Sequence, residues 1–151
     1  YCLKKNYQYI ATFDADDEHD SKFFKNVLKL KNFDLLIGKR SKFNRISEYF
    51  FSFITKLFFN FEDPLSGLKI YNTQVLKKIK LKNENLLNVY IIFRILGFNG
   101  IIRHKKLNVK KRKDGSRIGN SFLINIYIIY CVFKLFFKIF FSKIKIINYA
   151  K

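Results

Sequence analysis

The chain of 151 residues lacks tryptophan and methionine altogether, and it contains only one proline and two cysteines. Cys2 and Cys131 are far apart in the sequence, and neither forms part of a metal-ligand spacing. Two such cysteines exclude a disulfide-stapled scaffold and a cysteine-based zinc site, and they fit a reducing compartment. His19 and His104 also have no ligand partners at zinc spacing.

Acidic residues are scarce as well. Eleven Asp and Glu residues oppose thirty Lys and Arg residues, so the formal net charge is +19. This excess favours an anionic partner, which would be a nucleic acid, a phosphate-bearing substrate or an anionic membrane. The acidic residues are also unevenly spread, because five of the eleven lie together: Asp14, Asp16, Asp17, Glu18 and Asp20.

The acidic cluster follows a short apolar run. Residues 9–13 are rich in β-branched and aromatic side chains, which predicts a buried strand. Ligands of open α/β sheets bind beyond the carboxyl ends of the strands, so Asp14 and Asp16 can reach one hard cation there. Mg²⁺ is often held by one or two carboxylates together with substrate phosphates. The alternative is a solvated acidic turn in which Asp20 caps the next helix.

Two other acidic motifs are excluded by spacing. A calcium EF-hand loop requires Gly at its sixth position and Glu at its twelfth, where this chain has His19 and Lys25. A phosphatase of the haloacid-dehalogenase type requires Thr or Val two residues after the second Asp, where this chain has Glu18.

The rest of the chain alternates short strands with helices, which predicts an α/β sheet in a single domain. We predict strands over residues 9–13, 33–37, 68–71, 101–102 and 107–109, and helices over 21–30, 48–59, 72–79 and 86–96, with 2–7 as the tail of another. Ser47 is predicted to cap the helix over 48–59. That helix is apolar nearly all round, so we expect it to be deeply buried or to touch lipid.

The C-terminal segment differs from the rest. Residues 122–141 have the length of a membrane span, which needs ~20 apolar residues. Lys134 lies within it, however, and a central lysine costs about 3 kcal/mol on insertion. We therefore expect a helix that lies at a membrane interface with snorkelling lysines. A spanning helix and a helix packed in the core are the alternatives.

Four motifs occur in an order that resembles the family 2 glycosyltransferases, most closely the dolichol- or polyprenyl-phosphate sugar transferases. They are DAD at 14–16 with His19, GKR at 38–40, DPLSGLK at 63–69 and RKDGSR at 112–117. The resemblance covers residues 7–117. It implies a GT-A fold, in which a Rossmann-like α/β sheet holds a nucleotide-sugar, and a C-terminal hydrophobic or amphipathic helix would follow over 118–151.

The resemblance also implies roles for individual residues. Asp14 and Asp16, with Glu18 as a further ligand, would hold Mg²⁺ or Mn²⁺ on the donor diphosphate. Arg40 would contact a phosphate, plausibly that of the acceptor, and Asp63 would lie near the reacting sugar. Three more side chains would close over phosphates from the C-terminal side: Arg112, Ser116 and Arg117.

The implied reaction transfers a hexose from a nucleotide-sugar to polyprenyl phosphate or to a cell-envelope glycan precursor. Charge on the leaving diphosphate dominates the barrier, so a metal ion and arginines aimed there should matter most. A lipid phosphate is already an anionic nucleophile and needs no base, whereas a sugar hydroxyl would need a carboxylate, for which Asp63 is the candidate. The basic, aromatic C-terminal segment would hold this site at the cytoplasmic face of a bacterial membrane.

The chain begins only a few residues before the first predicted strand, with no initiator methionine and no signal peptide. We therefore expect residues 1–117 to be the C-terminal portion of a GT-A domain that lacks its N-terminal nucleotide-binding strands. We expect such a fragment to be inactive alone.

Each motif also has a structural or non-catalytic interpretation. Arg40 is one arginine in a very basic chain, Asp63 before Pro64 is a common turn, and the basic run over 103–117 is compatible with a solvated face or a headgroup-binding patch. The whole chain is compatible with a non-catalytic basic module that binds anionic membrane or nucleic acid. The acidic cluster would repel nucleic acid, so we expect no nucleic-acid partner. A phosphatase using the same Asp-x-Asp chemistry is a second enzymatic alternative.

Overall fold

The computed structural model describes residues 2–5, 7–14, 27, 30, 32–43, 45–79, 86–107 and 122–149. In the last of these ranges, side chains are described for residues 122–134 and for residue 137. A 3₁₀ helix at Cys2–Lys4 comes first. The strands are β1 (Tyr9–Thr12), β2 (Leu35–Arg40), β3 (Lys69–Asn72) and β4 (Ile102–Leu107). The helices are α1 (Ile46–Phe59), α2 (Thr73–Lys78), α3 (Leu87–Gly97) and α4 (Phe122–Tyr149).

The four strands form one mixed sheet in the order β1-β3-β2-β4. Strand β3 runs antiparallel to both β1 and β2, whereas β2 and β4 are parallel. Strands β1, β2 and β4 therefore point the same way, and their carboxyl ends share one edge of the sheet with the start of β3. Lys69 lies at that edge, paired with Thr12 on one side and with Ile37 on the other.

Alternating side chains of the strands supply two hydrophobic clusters, one on each face of the sheet. Leu35 and Ile37 pack with residues from α1, α3 and α4 in the larger cluster. Leu36, between them, packs in the smaller cluster with Leu68 and Leu107. The described part of the chain thus confirms the predicted α/β sheet with flanking helices.

Two predictions about individual elements are wrong. Residues 101–102 and 107–109 were predicted as separate short strands, but Ile102–Leu107 is one strand paired with β2 along its whole length. Backbone pairing decides the conformation there, even though Arg103 and His104 are exposed. Strand β2 likewise continues through Arg40 rather than ending at residue 37.

Ser47 is also not the cap of α1. The helix begins two residues earlier than predicted, Arg45 occupies the N-cap position without a side-chain hydrogen bond, and Ser47 is fully buried inside the first turn. The helix expected to start at Asn72 or Thr73 does begin there, and Asn72 is its N-cap, because its side chain accepts a hydrogen bond from the backbone of Gln74. The predicted helix over 21–30 lies outside the described residues apart from Val27 and Leu30.

Helix α4 packs against both α1 and α3. Within the described ranges, no helix has both the length and the apolar character needed to cross a membrane.

Candidate functional site

The edge of the sheet where β1, β2 and β4 end gathers the polar side chains of the candidate site. Asp14 follows β1, Arg40 ends β2, and Lys69 begins β3. Asp63 comes from the turn that joins α1 to β3. Two of the sequence motifs, GKR and DPLSGLK, are therefore in direct contact, although they lie more than twenty residues apart in the chain.

Arg40 and Asp63 form the centre of this site. The Nε and Nη2 atoms of Arg40 donate to the two carboxylate oxygens of Asp63 over 2.9 and 2.8 Å. The backbone N–H of Arg40 donates to the same carboxylate over 2.9 Å, and Nη1 donates to Glu48 in the first turn of α1 over 3.3 Å. One N–H on each Nη atom is not used by these hydrogen bonds.

Burial and charge act in opposite directions on Arg40. Burial alone would lower the pKa of the guanidinium, but the hydrogen bonds and negative charges of Asp63 and Glu48 outweigh it and raise the pKa above its ordinary value. Arg40 is therefore permanently charged and fixed in orientation. Asp63 is almost fully buried, and both of its oxygens are occupied.

The turn that bears Asp63 is fixed by hydrogen bonds to two elements, α1 and β2. Its backbone N–H donates to Ser52 Oγ of α1 over 3.2 Å, and the residue has a left-handed φ of 57°. Three residues on, the hydroxyl of Ser66 donates to the carbonyl of Gly38 in β2 over 2.6 Å. The N–H of Gly38 in turn donates to the carbonyl of Leu68 over 3.0 Å. The turn thus has little freedom to move relative to β2.

Lys69 lies beneath the turn and is completely buried. Its ammonium donates to the carbonyl of Ser66. Burial lowers the pKa of Lys69 to about 8, while the negative charges of Asp63 and Asp14 favour the charged form and that of Arg40 opposes it. Lys69 is therefore a buried cation between two carboxylates.

Asp14 rests on the same turn. A Cβ atom placed on Gly67 would collide with the carboxylate of Asp14, so this approach is possible only beside a glycine. The Thr12 hydroxyl donates to the carbonyl of Gly67 over 3.4 Å, which joins the end of β1 to the turn. Asp14 itself is exposed, so its oxygens face solvent.

The described groups carry an excess of negative charge. Arg40 and Lys69 are cations, whereas Asp14, Glu48 and Asp63 are carboxylates. Carboxylate oxygens are the ligands that Mg²⁺ and Mn²⁺ prefer, so the donor chemistry fits such an ion. Among the described residues, however, no three His, Cys, Asp or Glu side chains are grouped to hold a metal.

A pocket of about 220 Å³ opens beside the turn. It is lined by Pro64, Leu65, Lys69 and residues 86–89 at the start of α3. Polar and apolar surface contribute about equally to its walls, and Lys69 and Asn88 are the polar residues that line it. A pocket of this size and character suits one small substrate group rather than a whole nucleotide-sugar.

The structure brings together three of the eight residues predicted for the site: Asp14, Arg40 and Asp63. The other five lie outside the described residues: Asp16, Glu18, Arg112, Ser116 and Arg117. Sequence reasoning missed three contributors, Lys69, Glu48 and Ser66. Lys69 and Ser66 belong to the DPLSGLK motif and were available to it, whereas nothing in the sequence indicated that Glu48 reaches Arg40.

Comparison with known proteins finds similarity in structure but not in sequence. No protein-family model and no curated protein sequence matches the chain. A solved structure of glucosyl-3-phosphoglycerate synthase from Mycobacterium tuberculosis, in complex with phosphoglyceric acid, has a similar fold, with a TM-score of 0.59 and 13% sequence identity. The similarity covers 76% of this chain and 45% of that one, so this chain spans less than half the length of its structural neighbour.

At 13% identity the likeness establishes the fold alone. The described residues form a mixed four-stranded sheet with flanking helices, which is the architecture of a partial GT-A, Rossmann-like domain. The predicted fold class is thereby confirmed.

Proposed function

We propose that this chain is the catalytic and C-terminal part of a glycosyltransferase. It would move a hexose from a nucleoside-diphosphate sugar to polyprenyl phosphate or to a cell-envelope glycan precursor. The observation on which the proposal rests is the meeting of Asp14, Arg40, Asp63 and Lys69 at the carboxyl-end edge of a GT-A-like sheet. That edge is where open α/β sheets bind their ligands.

The metal belongs to the proposal as well. Asp14, with Asp16 and Glu18 from the same acidic segment, would hold Mg²⁺ or Mn²⁺. The ion would supply positive charge to the diphosphate as it leaves the sugar. The exposed position of Asp14 on Gly67 supports this assignment.

Arg40 would bind a phosphate through the two N–H groups that Asp63 and Glu48 leave free. Because its orientation is already fixed, little side-chain freedom is lost when a phosphate binds. Asp63 would act as a positioning residue for Arg40. Both its oxygens accept hydrogen bonds and its side chain is 1% exposed, so it is poorly placed to take a proton from a sugar hydroxyl.

This arrangement favours an acceptor that is itself anionic. A phosphate nucleophile needs no general base, and no unoccupied carboxylate is seen deep in the described site. Arg112, Ser116 and Arg117 would add phosphate contacts from the C-terminal side. Helix α4 would keep the site at the cytoplasmic face of a membrane.

The test is nucleotide binding. Calorimetry with UDP and GDP, with and without Mn²⁺, should be run on this chain and on a longer one that adds upstream residues. We expect metal-dependent binding in the longer chain, weak or no binding in the shorter one, and loss of the metal dependence in Asp14→Asn.

Failure of both chains to bind either nucleotide, in a folded state confirmed by circular dichroism, would overturn the proposal. It would leave a non-catalytic basic module that binds anionic membrane as the better account of the charge. Binding that is equally strong in Asp14→Asn would remove the metal role and keep the nucleotide site.

A further inference from the structure

Helix α1 is amphipathic, but its polar side faces the protein and its apolar side faces outward. The side chains that it buries are mostly polar: Ser47, Glu48, Ser52 and Thr55, with Phe51. The side chains that it exposes are apolar and follow the spacing of one helix face: Ile46, Tyr49, Phe50, Phe53, Leu57 and Phe58. Phe53 is 65% exposed and Ile46 is 79% exposed. A surface helix in water has the opposite arrangement, so this face suits an apolar medium.

Helix α4 shows the same arrangement beside it. Its exposed side chains include Phe122, Leu123, Ile126, Tyr127, Tyr130 and Phe137. The polar Asn125 instead accepts a hydrogen bond from the backbone of Ser47 over 3.3 Å. The ring of Phe133 lies 6.4 Å from that of Phe50 and joins the two helices. The exposed faces of α1 and α4 therefore form one apolar region, which we call the two-helix surface.

The charges near the two-helix surface are positive. Helix α4 contains no acidic residue, and the one acidic residue of α1, Glu48, is buried against Arg40. Lys56 and Lys134 are exposed on the two helices, and Lys134 Nζ lies 5.8 Å from the centre of the Tyr130 ring. Aromatic side chains interleaved with lysines suit the headgroup region of anionic phospholipid.

A second copy of the chain suits this surface less well. Two chains of +19 repel each other, and the surface offers no exposed carboxylate to offset that repulsion. Anionic phospholipid supplies both the apolar medium and the opposite charge.

We infer that α1 and α4 together bind the surface of an anionic phospholipid bilayer, with α1 as a lipid-contacting helix in its own right. This extends membrane contact from the C-terminal segment into the domain that bears the candidate site. The inverted face of α1 and its junction with α4 are the observations that support it.

One consequence concerns the site and rests on the proposed function. The side of α1 opposite the lipid holds Arg40 through Glu48 and the backbone of Asp63 through Ser52. The ring of Phe43 lies 5.5 Å from the Arg40 guanidinium carbon and 4.9 Å from the exposed ring of Tyr49. Arg40 would thus lie on the inner side of α1, one helix away from the bilayer and linked to the exposed face through Phe43 and Tyr49, near a phosphate borne by a lipid.

The absence of tryptophan allows a direct test in the 151-residue chain. Phe53→Trp places a single fluorophore on α1, and Phe98→Trp places one at a site of similar exposure, 48%, after α3. Vesicles of equal parts phosphatidylglycerol and phosphatidylcholine should shift the emission of Trp at position 53 to the blue, and brominated acyl chains should quench it. The position-98 fluorophore should change little, and phosphatidylcholine vesicles alone should have a smaller effect.

Co-sedimentation with the same vesicles gives a second measurement. Phe53→Ser with Leu57→Ser should lower the partition coefficient about tenfold or more, the scale expected when two large apolar side chains no longer leave water. The matched control, Phe98→Ser with Ile101→Ser, should leave it unchanged. Because no nucleotide is needed, this result is independent of whether the chain belongs to a glycosyltransferase.

Three outcomes would overturn the inference. One is a position-53 fluorophore that responds no more than the one at position 98. Another is equal vesicle binding by the α1 variant and the control. The last is a chain that sediments as a dimer without lipid and becomes monomeric in the α1 variant, because the surface would then be an interface between copies.

Discussion

The side chains of Arg40 and Asp63 meet as two parallel forks, with Nε and Nη2 of the arginine 2.9 and 2.8 Å from the two carboxylate oxygens. The arginine ends a strand and the aspartate lies in a turn 23 residues further on, so this pair joins the turn to the sheet, as the hydrogen bond from Ser66 to Gly38 also does. A bidentate arginine pair specifies orientation as well as distance. The orientation of Arg40 in the candidate site therefore depends on Asp63.

Asp63→Asn tests this pair. Asn tolerates the left-handed φ of 57° as well as Asp does, so the change removes the charge without straining the backbone. It leaves Arg40 buried without full compensation, and breaking a buried pair in this way typically costs about 3–5 kcal/mol. Urea unfolding followed by circular dichroism measures the loss.

Glu62→Gln is the matched control. Glu62 pairs with Lys39 over 2.6 Å and with Lys56 over 3.5 Å, but these lysines are more exposed than Arg40. Such pairs contribute about 1 kcal/mol or less. Equal losses in the two variants would show that the Arg40–Asp63 pair has no special role in stability.

The sequence was sufficient to predict most of the elements because their signals are local. Short apolar runs predicted β2 and β3, and the start of α2 was expected at Asn72 or Thr73. The motif order placed Asp14, Arg40 and Asp63 in one site through a resemblance, and the described structure does bring them together. Their chemical roles remain predictions.

What could not be predicted depends on contacts between distant residues. Strand β4 forms because β2 pairs with it, not because its basic sequence favours a strand. The reach of Glu48 to Arg40 depends on how α1 is set against β2, which no local pattern encodes. Helix α1 was predicted to be apolar nearly all round and either buried or in contact with lipid, and which of its sides faces the core depends on the same packing.

Ser47 and Ser66 offer a matched comparison of buried hydroxyls. In the described structure the Ser47 hydroxyl has no hydrogen-bond partner, whereas the Ser66 hydroxyl donates to Gly38 over 2.6 Å. Ser47→Ala should therefore leave the free energy of unfolding unchanged or raise it by up to about 1 kcal/mol, and Ser66→Ala should lower it by about 1 kcal/mol or more. Denaturant midpoints of the two variants decide the matter, and a larger loss in Ser47→Ala would contradict the structure.

Gly67→Ala tests the position of Asp14. The added methyl group would collide with the Asp14 carboxylate and push it away from the turn. If Asp14 holds a metal ion, Mn²⁺ affinity measured by electron paramagnetic resonance should fall, while the free energy of unfolding changes little because Asp14 is exposed. Gly97→Ala is the control, since a methyl group there meets nothing within 4 Å. Unchanged Mn²⁺ affinity in Gly67→Ala, with measurable binding in the parent chain, would argue against Asp14 as a ligand.

Lys69 predicts how stability depends on pH. Burial lowers its pKa from 10.5 to about 8, so between these values the unfolded chain binds more protons than the folded chain. The contribution of Lys69 to the free energy of unfolding must therefore rise as the pH increases from about 8 to 10.5. The quantity to measure is the free energy of unfolding of the parent chain minus that of Lys69→Met, in metal-free buffer. This difference should increase by at most about 3 kcal/mol between pH 8 and pH 10.5. Other titrating groups are common to both chains and cancel in the difference, so a difference that stays constant across the window would show that Lys69 is not a buried, desolvated cation.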